Sequence, residues 1–330
     1  MLLYTPPKAA EQLPIIDLGD SFSVDLSRRK AVAWEIHKAC RDTGFFYVAN
    51  HGVAAGLIAG QFEWAKQFFA QPLAAKNAVS MAKSSCMRGY EAMSLQVLDA
   101  GSPPDLKEGF QIACDLAPDH PYVVGKVPNQ GPNQWPGDLP GFREHTERYQ
   151  TAMIALGAHL MRCLALSLEL DEGWFDAGIS QPMCTVRMLH YPPQPAGAAF
   201  NQLGAGAHTD WGSITMLLQD DCGGLEVQNA KGEWIEAMPV EGTFVVNLGD
   251  MVRRWTNDIY QSTMHRVLNK QRNRDRYSIA SFFNPDFFHK VECLPTCRAA
   301  DGTPPRYAPC TVGEHIAEMF QITYGKKKSA

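Results

Sequence analysis

Between residues 183 and 283 the chain takes on the period of strands, and that stretch limits the fold more than any other. Short β-prone segments follow one another at 185–191, 207–210, 213–219, 225–228, 234–237, 243–247, 263–268 and 276–283. Gly223-Gly224 and Lys231-Gly232 supply the clearest turns between them. Helical patterns lie before and after this run but do not alternate with its strands, which excludes a chain of βαβ units. The expected class is mainly β with flanking helices, built on a double-stranded β-helix (jelly roll). The mouth of such a core can hold a metal and small ligands.

The flanks read as follows. Residues 13–18 form a short strand, and Ser27 can cap a helix to about residue 42, with Val32, Ile36 and Cys40 on one face and Gly44 ending it. Residues 45–48 are β-prone, Asn50-His51-Gly52 is a turn, and a helix over 54–70 spaces Ile58, Phe62, Ala65 and Phe69 along one side before Pro72. Residues 83–117 read as a polar loop and a strand. Residues 118–141, rich in Pro, Gly and Asn with Trp135 as an anchor, read as an irregular connection serving as lid or spacer. A long helix over 142–168 buries Tyr149, Met153, Leu156, Leu160, Cys163 and Leu164, and a last helix spans 312–324. One integrated unit is expected in three parts: an N-terminal region over 1–141 packing on the core, the long helix and jelly roll over 142–290, and a C-terminal loop and helix over 291–330.

Within the strand run, Ala207-His208-Thr209-Asp210-Trp211-Gly212 carries the first chemical signal. Alternate side chains of a strand share a face, so His208 and Asp210 point the same way, roughly 7 Å apart along the backbone, and can reach one ion. Asp210 merely orienting a surface imidazole would give the same pair. An imidazole and a carboxylate suit Fe(II), and a two-His, one-carboxylate set leaves three open positions, as non-haem iron oxygenases require. A second histidine is then needed.

Composition narrows what such a site can serve. With 330 residues and 45% hydrophobic content the chain can bury a large core, and a net charge of −5 with no basic run beyond Lys326-Lys327-Lys328 argues against nucleic acid. No apolar run approaches the ~18 residues of a membrane span. Met1-Leu2-Leu3-Tyr4-Thr5-Pro6-Pro7 lacks the charged start and apolar stretch of a signal peptide. The expected location is the cytoplasm, away from membranes. Nine cysteines at scattered spacing fit reduced thiols, and Cys293 and Cys297, with Pro295 between them and no second pair, read as structural.

His208-Thr209-Asp210, then Ser262-Thr263-Met264-His265-Arg266-Val267, then Arg276-Tyr277-Ser278, resembles the iron and 2-oxoglutarate dependent dioxygenases of the isopenicillin N synthase-like family. The resemblance extends to Asp42-Thr43-Gly44-Phe45-Phe46 and Asn50-His51-Gly52-Val53. It continues in Arg88-Gly89-Tyr90, Asp105-Leu106-Lys107-Glu108-Gly109-Phe110 and Asn247-Leu248-Gly249-Asp250-Met251, and so covers residues 13 to 325. It implies Fe(II) on His208, Asp210 and His265, with 2-oxoglutarate and O2 at the open positions and ascorbate as a possible reductant. Oxidation of a small organic substrate by hydroxylation, desaturation or ring closure would then release succinate and CO2. Arg276 and Ser278, two apart on a strand, offer a guanidinium fork and a hydroxyl to a distal carboxylate. Tyr191 falls where the family often has a cosubstrate-binding Tyr, but Leu189 stands where Asn is common, which removes one amide contact.

The remaining histidines read as structural. His51 adjoins a turn glycine. His190 is expected to face away from Leu189 and Tyr191. His37, His145, His159 and His315 lie on helices, and His120 and His289 in loops. Trp255 reads as core, and Gly249-Asp250 as a turn between strands. Two other readings stay open: an iron oxidase that takes all its electrons from the organic substrate or ascorbate, and a jelly-roll binding protein whose metal serves stability. The identity of the main substrate and the oligomeric state do not follow from these residues.

Overall fold

The structure is a computed structural model that describes residues 12–95, 104–194 and 203–324. The Met1–Pro7 lead and the Lys326–Lys328 tail lie outside the described residues.

The N-terminal region supplies β1 (Ile15–Asp17), α1 (Leu26–Asp42), β2 (Phe45–Ala49), α2 (Ala55–Phe69), α3 (Leu73–Ala78), β3 (Gly89–Glu91), β4 (Glu108–Ile112) and the single turn α4 (Pro121–Val124). The cap of α1 differs from expectation. Asp25, not Ser27, is the N-cap, and its carboxylate accepts the Ser27 N–H at 2.8 Å. An ionised oxygen two residues earlier outcompetes the hydroxyl. Gly44, at φ +68°, turns the chain out of α1, and a Cβ there would meet the Gln261 carbonyl at 2.3 Å.

The 26-residue α5 (Phe142–Ser167) leads into eight strands: β5 (Met183–Tyr191), β6 (Ala205–His208), β7 (Ile214–Gln219), β8 (Leu225–Gln228), β9 (Trp234–Glu236), β10 (Phe244–Leu248), β11 (His265–Val267) and β12 (Arg276–Asn284). Between β10 and β11 lies α6 (Asp250–Trp255), where a turn and a further strand were expected. Gly249 is its N-cap, Asp250 favours its positive end, and Trp255 at its end is 2% exposed, in the core. The two-residue strands β13 (Lys290–Val291) and β14 (Cys310–Thr311) precede α7 (Val312–Tyr324), which falls where the sequence placed the last helix.

Two sheets result. The large one has the order β1-β2-β10-β7-β12-β5-β4-β3, and the small one β6-β11-β8-β9. The four central strands of the large sheet face the four of the small one, which is the jelly roll. Strands from the first 141 residues extend the large sheet at both edges. Register decides which face each side chain takes, because directly opposed residues share a face. Arg276 opposes Tyr191, Ser278 opposes both Leu189 and Gln219, and Asn247 opposes Thr215. All of these point toward the small sheet.

The intervening residues, among them Met188, Met216, Val246, Ile279 and Phe283, point the other way and are buried with Ile36, Phe68, Tyr149, Met153 and Leu160 of the helices. At Gly157 of α5 an added Cβ would lie 2.5 Å from the Phe283 ring, so the long helix lies directly against β12. A smaller cluster of Phe45, Tyr47, Tyr191, Leu225, Val227, Val245 and Val267 fills the space between the sheets. Cys293 and Cys297 are buried in the helix-side core. The connection over 118–141 is held down along its length: Asn133 exchanges hydrogen bonds with Ala113 at 2.9 and 2.7 Å, and Trp135 packs edge-on against Phe142. Among the described residues, no helix is long and apolar enough to cross a membrane.

Candidate metal centre and cosubstrate pocket

His208 and His265 are direct antiparallel partners on β6 and β11, with ring centroids 4.3 Å apart. Asp210 arrives by a different route from the one expected. β6 ends at His208, so strand alternation does not align Asp210; the loop that follows β6 brings it round. That loop is seated on the start of α6, where the Asp250 N–H donates to the Asp210 carbonyl at 2.8 Å and the Met251 N–H to that of Gly212 at 3.2 Å. A Cβ at Gly249 would meet the Gly212 carbonyl at 2.3 Å, so only glycine allows this approach.

Every outward-facing donor atom of the three side chains is occupied elsewhere. The Nδ1–H groups donate to backbone carbonyls, that of His208 to Gly206 at 2.7 Å and that of His265 to Thr263 at 3.2 Å. Asp210 Oδ2 accepts from Thr215 Oγ1 at 2.6 Å and from Asn247 Nδ2 at 2.7 Å. What remains is one carboxylate oxygen, 3.9 and 3.8 Å from the two Nε2 atoms, too far to hydrogen bond to either. Three converging donors, each oriented from behind and none satisfying another, form a ligand set with its outer contacts in place.

Protonation states agree with that reading. Burial, then the neighbouring His265, hold the His208 imidazole down to about 3, so it is neutral, the form that ligates. Burial opposes charge on Asp210, but its carboxyl lies below the usual range, and the hydrogen bonds from Asn247 and Thr215 are among the groups that favour the anion. Asn247→Ala would leave Oδ2 with Thr215 alone. It is expected to lower iron affinity by about 10- to 100-fold, the usual effect of losing such an orienting partner. Competition against a metal-sensing chelator measures this, and unchanged affinity would show that Asn247 does not orient the carboxylate.

The other candidate residues share the same cavity, of about 580 Å³. Arg276 is 1% exposed. Its Nε donates to the Gly223 carbonyl at 2.6 Å, Nη2 reaches Gln219 Oε1 at 3.4 Å, and the guanidinium carbon lies 4.8 Å from the Tyr191 ring centre. Its Nη1 has no hydrogen-bond partner among the described residues. A buried cation with an unmatched donor edge, beside the buried Ser278, suits an incoming carboxylate. Leu189 opposes Ser278 and lines the cavity where an amide was expected in the family pattern, so that wall is apolar.

Several lining residues escaped the sequence reading. Lys107 pairs with Asp105 at 2.9 Å, Asp105 also accepts the Gly206 N–H at 3.0 Å, and Arg187 pairs with Glu91. Burial, against the pull of Asp105, lowers the Lys107 ammonium to about 8. Ile316, Met319 and Phe320 of α7 close the apolar side. Arg187 could have been found from alternation with Leu189 and Tyr191. The part played by α7 depends on how it docks, which periodicity does not reveal.

The remaining histidines have other contacts. His37 bonds Tyr260, His51 the Val53 N–H, His145 the Leu57 carbonyl, His159 Ser21 and His315 the Trp211 carbonyl. His120 caps α4, His289 lies edge-on to Trp255, and His190 meets Glu108 and Asp275 on the face away from the cavity.

A jelly roll that turns two imidazoles and one carboxylate into a cavity with a buried guanidinium is the architecture of non-haem Fe(II) oxygenases. Comparison with known proteins agrees. Residues 13–138 match the family model for the N-terminal region of non-haem dioxygenases in morphine synthesis, and residues 182–285 match that of the 2OG-Fe(II) oxygenase superfamily. The chain is 40% identical to the 2-oxoglutarate-Fe(II) type oxidoreductase hxnY of Emericella nidulans, over 96% of this chain and 91% of that one. It is 38% identical to the 2-oxoglutarate-dependent dioxygenase citB of Monascus ruber, over 97% and 98%. A full-length Neurospora crassa protein, solved in complex with alpha-KG and thymine, superposes with a TM-score of 0.84 at 30% identity, covering 96% of this chain and all of that one. The chain belongs to the 2OG-Fe(II) oxygenase superfamily. It is an oxidoreductase that works with Fe(II), 2-oxoglutarate and O2.

Proposed function

We propose that His208, Asp210 and His265 hold the Fe(II), that Arg276 and Ser278 bind the distal carboxylate of 2-oxoglutarate with Tyr191 packed beside it, and that the rest of the cavity takes a small organic substrate. The observation that carries this is the one cavity shared by three converging donors and a buried guanidinium edge. Bound iron supplies the redox chemistry with O2. Four electrons balance the reaction, two from decarboxylation of 2-oxoglutarate to succinate and two from the substrate, which is hydroxylated, desaturated or cyclised.

The chain's own groups orient the reactants. Arg276 fixes the far end of the keto acid and thereby which of its atoms face the metal. Trp211, Met319 and Phe320 keep the substrate side apolar, while Lys107, Gln111 and the Arg187–Glu91 pair give that side hydrogen-bonding groups. A compact, largely apolar molecule with a few polar atoms fits this wall; the Neurospora crassa relative was solved with thymine and with 5-formyluracil. We place the chain in the isopenicillin N synthase-like branch, as one integrated unit acting in the cytoplasm on a small molecule rather than on nucleic acid or at a membrane. The mild net charge of −5 supports the last point.

The test is a screen of small organic compounds with Fe(II), 2-oxoglutarate and O2, read out as succinate. Succinate formed one for one with oxidised product supports the proposal. Substrate oxidised with O2 consumed and no succinate formed would establish the oxidase reading instead.

A further inference from the structure

Directly behind the cosubstrate end of the cavity, on the opposite face of the large sheet, lies a charged cluster, buried at Glu108 and Lys76 and open to solvent at Asp275, that the chemistry above does not use. His190, between Leu189 and Tyr191 on β5, contacts two carboxylates: Nδ1 lies 2.8 Å from Glu108 Oε1 on β4, and Nε2 lies 2.8 Å from Asp275 Oδ1 at the start of β12. Glu108 Oε2 also accepts Lys76 Nζ of α3 at 2.8 Å and the Tyr90 hydroxyl of β3 at 2.6 Å. The imidazole stacks on Tyr277 at 4.9 Å and lies against Phe69 of α2. Among the described residues, these are the charged and titratable groups that contact it or share its carboxylates.

An ionised carboxylate only accepts hydrogen bonds, and a neutral imidazole has one N–H to give. Both contacts can therefore be made only by the imidazolium. Glu108 is ionised, because bonds from His190, Lys76 and Tyr90 outweigh the opposition of burial and hold it to about 2. Burial works against the charge on His190 as well, but Glu108 and Asp275 prevail and its pKa is raised.

The residues flanking this clamp are those assigned to the cosubstrate. Asp275 immediately precedes Arg276, and in the register of β5 and β12 His190 opposes Tyr277 while Tyr191 opposes Arg276 and Leu189 opposes Ser278. The start of β12 is also held by its backbone pairing with β5 and β7 and, from the far side, by Asp220, which accepts the Tyr277 N–H at 2.6 Å, and by the Gly223 carbonyl, which accepts Arg276 Nε. The His190 contacts add the side-chain link to β4.

We propose that His190 is a positioning residue for 2-oxoglutarate: bonded to Glu108 and Asp275 at once, it ties β4 and β5 to the start of β12 and so sets Arg276 and Tyr191 for the distal carboxylate. The clamp is whole at low pH. As pH rises through the raised pKa the imidazole loses a proton and one carboxylate is released. Cosubstrate affinity therefore falls with rising pH. This rests on Arg276 being the cosubstrate anchor.

Calorimetric titration of 2-oxoglutarate into the Mn(II)-loaded protein from pH 6 to 9 tests the proposal without turnover. His190→Phe keeps the stacking on Tyr277 and removes both bonds. It is expected to bind ~10-fold more weakly at the acid end, the lower range for loss of an orienting partner, and to converge with wild type at the alkaline end. Lys107 titrates in the same window in both proteins, so the difference between the two curves is what reports on His190. Asp275→Asn, at a half-exposed position, removes one carboxylate charge and should move the wild-type midpoint to lower pH.

A His190→Phe protein that differs from wild type by the same factor at every pH, or not at all, overturns the proposal, as does an unmoved Asp275→Asn midpoint. Arg276→Ala is the control for the premise. If it binds 2-oxoglutarate like wild type, the anchor assignment has failed; if it loses binding while His190→Phe matches wild type, only the clamp has.

Discussion

His265→Ala is expected to bring turnover down by at least ~10³-fold, equivalent to about 4 kcal/mol of transition-state stabilisation, and to leave a protein that does not retain iron. Its Nε2 is one of three donors meeting in the cavity, and no other described imidazole is turned there to replace it. The loss has a packing component too, because the ring, carried on an inner strand of the small sheet, lies 5.2 Å from that of Phe45. His265→Gln, which refills most of the volume without an imidazole nitrogen, separates the two effects and should be equally inactive. Iron content after anaerobic reconstitution, taken with succinate formation, reads both. A His265→Ala protein that keeps its metal and its turnover would remove this residue from the centre.

Arg276→Ala is expected to weaken 2-oxoglutarate binding by roughly 10- to 150-fold, because a charge-assisted hydrogen bond worth ~1.5–3 kcal/mol is lost from a dry site. Iron should stay bound, since no atom of Arg276 contacts the three donors. Arg276→Lys keeps the charge but not the planar fork that reaches Gly223, Gln219 and the cavity together, and should recover only part of the affinity. Saturation curves for 2-oxoglutarate at fixed iron give the measurement. An unchanged cosubstrate requirement would point to the oxidase reading, in which this arginine binds a substrate carboxylate.

The parts of this architecture that were legible in the sequence are those governed by local period. The eight core strands fall where strand period and turn glycines placed them, with end shifts of a few residues, α5 follows from its apolar spacing, and α7 falls where the last helix was expected. The site was legible more unevenly. His-x-Asp drew attention through an alternation that the strand does not supply, since β6 stops at His208 and a loop seated on Gly249 does the aligning. His265 became a candidate through family resemblance, because its pairing with His208 joins strands far apart in the chain. Non-local pairing also hid where the strands read in the first 141 residues would join the large sheet, at both its edges, and the docking of Met319 and Phe320 over the cavity. Asp25 in place of Ser27 turned on competition between neighbouring polar groups that a single sequence does not rank.

The most direct test of the account is anomalous diffraction from crystals of the Mn(II) protein soaked anaerobically with 2-oxoglutarate. The expected map places one metal peak within bonding distance of His208 Nε2, Asp210 Oδ1 and His265 Nε2, with the keto acid on its open side and the distal carboxylate on Arg276 and Ser278. A metal held elsewhere, or a fourth protein donor closing the coordination, would contradict it.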